Sequence, residues 1–308
     1  MPSSGSTNFS MNRDDLCKSA LRLINVIADG ETPSASLIEN TSEALNMMVK
    51  NLAGEGIQLF TNKRATVFLQ NSLTTYSLGP TGSHATTAYS TTAIRLAAAA
   101  SATTLEVTTT VGMTALDYIG VILTDGNVHW TTIASVTDSD TVVITTGLVS
   151  AAAVGKKVYW YTTKMPRPLR IMNSFMRVVN DDYQMSLYTK DMYWDMNRKT
   201  WAGRPTAIYY ENTDPNGTLY TNYQATDFNE TLELVYQRPI EDFDAATDTP
   251  DLPQEWYEPL KYKLAIRIAP EHGRSKQARE LVPIAIETEN NAKNITGYDP
   301  RFMNSTRF

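Results

Sequence analysis

The 308-residue chain has one cysteine, Cys17. An internal disulfide is therefore impossible. A thiolate zinc site, which needs at least two such ligands, is excluded with it. Cys17 falls in a helical pattern between Leu16 and Ala20 and reads as a small packing residue rather than a nucleophile. Histidine is almost as scarce: His84 stands in a Gly/Ser/Thr loop, His129 in a strand-rich stretch, and His272 just past a predicted helix end, where an imidazolium would suit the helix dipole. The three share no local motif, so their spacing suggests neither a catalytic triad nor a metal site. No run of about 18 apolar residues exists, so no membrane-spanning helix is expected. The opening MPSSGSTNFSMNRDD lacks the basic start and apolar core of a secretion signal, which predicts a protein made and kept in a cytoplasm. The phosphate-cradling patterns GxxxxGK[ST] and GxGxxG and the GxSxG nucleophile turn are all missing. No cofactor and no enzymatic activity are expected.

Charge is also sparse, at 19% of residues, and it sums to −6. Tight gripping of nucleic acid through its phosphates needs a basic face, so that function is disfavoured. A surface that faces DNA while repelling it is still compatible. Acidic pairs do occur, at Glu241/Asp242/Asp244, Asp248/Asp251 and Asp181/Asp182. A glycosidase needs two carboxylates at a set separation, one with a raised pKa. These acids fall at turns and helix starts, where Asp and Glu are favoured without any chemical role.

The length suggests two domains. Residues 1–12 are Ser, Asn, Gly and Pro rich and read as a flexible arm. Asn12 can cap a helix with Asp14 and Asp15 in its first turn, running past Ile27 to a stop at Gly30. Thr32, with Pro33 at the first helical position, can start a second helix whose stripe is Leu37, Ala44, Leu45, Met48, Val49 and Leu52, ended by Gly54 and Gly56. The period then drops to two. IQLF, ATVFL and TTYSLG are strand candidates, followed after residue 164 by PLRIMNSFMRVV, YQMSLY, RPTAIYYE, GTLYTNY and TLELVYQRPI. Thr189 can cap a short helix, KDMYWDM. Two further helices are expected. In the first, Trp256, Leu260, Leu264 and Ile268 lie four apart, and Pro259 should either kink it or mark its true start. The second covers roughly residues 275–289. Residues 291–308 have no periodicity and are expected to be extended.

Residues 85–164 differ in composition, being dense in Thr, Ala, Ser and Val. Asp125-Gly126 predicts a tight hairpin, and residues 138–140 another reversal. This stretch reads as an inserted all-β domain. Its flanks, 13–84 and 165–290, are each incomplete, and together they predict an α+β core: a helical bundle packed on an antiparallel sheet. Tyr193, Trp194, Trp201, Tyr209 and Tyr210 crowd into one span with Arg and Met. That composition fits core strands around a buried helix, and it equally fits an interface, with Tyr193, Trp194 and Trp201 as its candidate residues. A nucleic-acid stacking platform is disfavoured by the thin basic background.

The order of these pieces resembles the head-to-tail adaptor (connector) proteins of short-tailed bacteriophages. The likeness is carried by ALRLINVIADGETPSASLIENTSEALNMMVKNLAGEGIQLFT (20–61), TYSLGPTG (75–82), RPLRI (167–171), GRPTAIYYE (203–211), PNGTLYTNY (215–223) and LVYQRPIEDFDAATDTPDLPQEWYEPLKYKLAIRIAPEHG (234–273). Two departures stand out: the 85–164 block is extra, and Pro259 interrupts a helix that usually runs on. The resemblance implies a virion protein of the neck, assembled in the host cytoplasm. Such proteins form a ring, typically of twelve subunits, between the portal and the tail nozzle, retain the packaged DNA and line its exit channel. It also implies that the C-terminal segment docks on the portal, here through Ile295, Tyr298, Phe302 and Phe308. The insert could contact tail fibres. Two other functions are kept: a glycan- or receptor-binding tail module working through the insert, and a cell-wall glycan hydrolase.

Overall fold

The computed structural model describes residues 5–54, 61–199 and 201–296. The fold is mixed α+β, and the chain divides into two compact units: residues 1–61 with 239–308, and residues 62–238.

In the helical unit, α1 (Arg13–Leu23) opens as its residues dictate, with the Asn12 side chain accepting the Asp15 N–H at 2.8 Å. Leu16, Cys17, Ala20 and Leu21 face inward. The helix stops well short of Gly30. Asn25 adopts a left-handed φ of 54°, and the Arg274 guanidinium donates to its carbonyl at 3.1 Å, so Ile24 and Ile27 are buried from the turn rather than from the helix. The next helix, α2 (Ala35–Gly54), is capped by Ser34, whose Oγ accepts the Leu37 N–H at 3.3 Å. Thr32 does not serve, because the helix begins at Ala35, two residues beyond Pro33. Ile38, rather than Leu37, leads the buried stripe through Leu45, Met48, Val49 and Leu52.

Pro259 marks a start. A short 3₁₀ turn at Gln254–Trp256 feeds α4 (Tyr257–Ile268; α3, Lys190–Trp194, belongs to the other unit), placing Pro259 in the first turn, where its missing N–H is no loss. Trp256, Leu260, Leu264 and Ile268 are all buried on one face. The last helix, α5 (Ser275–Thr296), runs beyond the predicted end, so residues 291–296 of the segment expected to be extended are helical. Its buried positions include Ala278, Ala285 and Ala292, seven residues apart, and such small side chains let it approach α4 closely. Glu289 ties the pair together, accepting from Lys263 at 2.6 Å and Lys293 at 2.8 Å. Burial opposes its charge, but those two ammonium groups outweigh it and hold the carboxyl below the usual range.

The β unit contains two sheets and a barrel. The five-stranded sheet has the order β11-β10-β15-β1-β3, from β1 (Asn62–Phe68), β3 (Ala85–Thr86), β10 (Arg170–Val178), β11 (Asp181–Gln184) and β15 (Thr231–Gln237). The four-stranded sheet has the order β12-β13-β14-β2, from β2 (Thr75–Leu78), β12 (Ser186–Leu187), β13 (Ala207–Glu211) and β14 (Gly217–Thr221). The one sheet expected from sequence is thus two, closed over a shared core that includes Val67, Tyr76, Met176, Leu219, Leu232 and Tyr236. Pairing is antiparallel except between β12 and β13. The strand candidate IQLF lies outside the described residues.

The insert is a closed six-stranded barrel of order β4-β5-β8-β7-β6-β9: β4 (Ser90–Leu96), β5 (Thr104–Val107), β6 (Tyr118–Ile122), β7 (Val128–Val136), β8 (Thr141–Ile144) and β9 (Lys157–Tyr161). Both predicted reversals are present. Gly126 takes φ 86°, and the Asn127 N–H donates to the Asp125 carboxylate at 2.9 Å. The barrel has its own core, including Leu105, Ile119, Val121, Ile133, Val142 and Val158. Closure removes the sheet edges that a free insert would expose. Its boundaries are tighter than the compositional ones, because Ala85 and Thr86 pair with β1 in the five-stranded sheet.

Candidate functional site

Two aromatic clusters organise the β unit. The first lies on the outer face of the four-stranded sheet. Tyr209 and Tyr220 are direct cross-strand partners, and their rings stack 5.5 Å apart at 14°. The short helix α3 (Lys190–Trp194) is capped as its sequence predicts, with Thr189 Oγ1 accepting the Met192 N–H. It lays Tyr193 over the pair, 5.7 Å from Tyr209 and 5.1 Å from Tyr220. Tyr193 is only 3% exposed. It packs its own chain and is not available as an interface residue.

Trp194 and Trp201 are different, at 51% and 53% exposed. Trp194 meets Tyr220 edge-on at 6.0 Å. Lys199 donates to the carbonyls of Trp194 and Met196 at 2.9 and 3.0 Å, and its ammonium lies 5.3 Å from the Trp194 ring. The Arg198 guanidinium lies 4.4 Å from the Trp201 ring. Met192 is also exposed. Exposed Trp and Met flanked by Arg is the composition of an interface core. The sequence pattern named both tryptophans and the Arg and Met of their span, but not Lys199. Its signal was present in the run of two cations between aromatics, without any indication of which ring would be buried.

The second cluster joins barrel to sandwich. Phe68 points from the outer face of β1 and is 2% exposed, covered by Ile122, Tyr159 and Tyr161. The Tyr159 hydroxyl donates to the Phe228 carbonyl at 3.1 Å. His84 stacks on Trp130 with ring centres 4.0 Å apart, and its Nδ1 lies 2.7 Å from the Tyr161 hydroxyl. Gly120 makes room for the Trp130 ring, since a Cβ there would sit 2.7 Å from it. Burial first, and the nearby Lys164 ammonium second, push the His84 imidazole down to about 3.

The His84 shift predicts a pH response with a definite sign. The neutral ring is the one the fold accommodates, so its contribution is complete above the ordinary histidine value of 6.5 and is lost as pH falls toward 3. The dependence should approach about 1.4 kcal/mol per pH unit within that window. Carboxylates titrate in its lower part, so the test is a difference. His84→Asn should lower stability at pH 7, yet lose less of it than the parent between pH 6.5 and 4.5, in urea midpoints followed by tryptophan fluorescence. Parallel pH profiles would show that His84 is not the group responsible.

The remaining candidates have structural partners. His129 is buried with Nε2 3.2 Å from the Thr146 carbonyl. Burial, and Asp14 after it, push the Cys17 thiol up to about 12, leaving it unreactive at neutral pH. Asp248 accepts the N–H groups of Asp244 and Ala245 at 2.8 and 2.6 Å, and Asp251 that of Glu241 at 3.2 Å, so these acids close turns. Asp182 takes a two-pronged bond from Arg177 at 2.8 and 2.9 Å, which lowers its carboxyl. Among the described residues, no three His, Cys, Asp or Glu side chains converge as metal ligands, and no helix is long and apolar enough to cross a membrane. Two depressions of about 470 and 480 Å³ flank α1 without a histidine in their walls. Ile295 is exposed near the end of α5, whereas Tyr298, Phe302 and Phe308 lie outside the described residues. The sequence matches no protein-family model, and no curated protein is significantly similar to it.

Proposed function

We propose that this chain is a structural, ring-forming virion protein: a head-to-tail adaptor, in roughly twelve copies, between portal and tail nozzle. The observation that carries it is the surface around Trp194 and Trp201, two large half-exposed rings beside cations that, among the described residues, form no ion pair. A ring contact would cover both rings. Charge partition supports the channel role. Residues 1–61 and 239–308 carry 13 Lys/Arg against 19 Asp/Glu, whereas residues 62–238 carry 14 of each. The whole net charge of −6 therefore belongs to the helical unit. Repeated about twelvefold around a lumen, for a total of roughly −72, it would let DNA pass without sticking. The reading includes the packing of helices on sheet implied by the sequence pattern, a neck location, portal docking by the C-terminal residues, and fibre contacts through the barrel. The test is to mix the purified chain with portal rings and image the product. A closed collar on the portal is expected, and a chain that stays monomeric beside intact portals overturns the reading.

A receptor- or glycan-binding role for the barrel has one observation in its favour: Val111 and Leu116 protrude from a single loop, about 80% exposed. Replacing both with Ser should abolish adsorption, with genome retention intact, if that role is real. Deleting the barrel would be a poor test, since it strips the cover from Phe68. A hydrolase reading has less support, because the Asp248 and Asp251 carboxylates accept backbone N–H groups and the Asp182 carboxylate is held by Arg177.

A further inference from the structure

A ring of identical subunits needs two different surfaces on each copy, one to give and one to receive. The Trp194/Trp201 surface is one of them. We infer that it receives the acidic 241–258 segment of the helical unit of a second copy. This rests on the ring reading above and names its contact.

Three observations lead there. First, the cations are spare. Elsewhere in the β unit, Arg95, Arg177 and Arg204 are each committed to carboxylates. Arg198 and Lys199 instead lie over aromatic rings, and among the described residues neither makes an ion pair. Second, the spare anions are in the other unit. Glu241, Asp244, Glu255 and Glu258 are exposed, and no described cation pairs with their side chains. The acids that do hold the segment's turns, Asp248 and Asp251, are separate from these four. Third, the unit-level balance disfavours the simplest alternative. Contacts between two helical units would bring −6 against −6, whereas a helical unit against a neutral β unit is free of that repulsion. Opposite charge around a desolvated tryptophan pair steers association and fixes register, and the rings supply the buried area.

The test is charge reversal on the full chain, with portal rings as the nucleus and collar formation read by sedimentation and electron microscopy. Arg198→Glu with Lys199→Glu should raise the concentration for half assembly by about a hundredfold. Adding Glu255→Lys and Glu258→Lys in the same chain should restore most of that loss. Circular dichroism and thermal unfolding check that each variant folds, and Lys157→Glu, distant in sequence and on the barrel, serves as the control that should assemble normally. Normal assembly of the Arg198/Lys199 variant would overturn the contact while leaving the ring reading intact. Loss without rescue by the acidic reversals would overturn the pairing and point to another occupant, such as an acidic face of the nozzle. A parent chain that never assembles would remove the ring reading and this contact together.

Discussion

Phe68→Ala should cost the β unit about 3–5 kcal/mol. The side chain is 2% exposed, and its ring is in contact range of four others: Tyr89, Trp130, Tyr159 and Tyr161, with centroids 4.9 to 5.8 Å away. Truncation removes apolar burial and leaves a cavity under rings too rigid to close it. Phe68→Leu, which refills most of that space, should cost only about 1–1.5 kcal/mol. Denaturant midpoints give the magnitude. Limited proteolysis gives the location, because cleavage in the connectors at 86–90 and 161–165 should accelerate if the barrel comes free. A loss under about 1 kcal/mol would mean that the barrel is held by its covalent connections rather than by this cluster.

Trp194→Ala and Trp201→Ala should each raise the concentration for half assembly of the collar by about thirtyfold, the equivalent of 2 kcal/mol per contact. Both rings are half exposed in the single chain, so unfolding midpoints should move by no more than about 0.5 kcal/mol. Tyr193→Ala is the informative contrast. Its ring is enclosed by Tyr209, Tyr220 and Trp194, so this substitution should destabilise the chain by about 3 kcal/mol, and assembly should fail as a consequence. Tryptophan variants that assemble like the parent would show that this surface is not the subunit contact.

Proposed function and stability thus divide the aromatic residues of one short span, and the division explains what a linear reading could reach. The sequence by itself determined the local events. Asn12 caps α1, and Asp125-Gly126 turns between β6 and β7, because such steps are decided within a few residues by hydrogen bonding and backbone sterics. The four-residue spacing of Trp256, Leu260, Leu264 and Ile268 fixed the inner face of α4 for the same reason. The Thr-, Ala-, Ser- and Val-rich composition of 85–164 marked a strand-forming stretch, most of which lies in the six-stranded barrel.

Only the tertiary structure decided matters that depend on which distant segments meet. The strands divide into two sheets because β15 pairs with β1 and β10, while β2 pairs with β14, across separations that no local pattern encodes. Tyr193 is buried while Trp194, one residue on, is not, since a helix turns adjacent side chains about 100° apart and only the sheet below decides which is covered. His84 looked like a loop residue until Trp130 and Tyr161, brought over from the barrel, enclosed it and drove its proton off. Burial is a property of the assembled surface, and the pattern of a single segment cannot contain it.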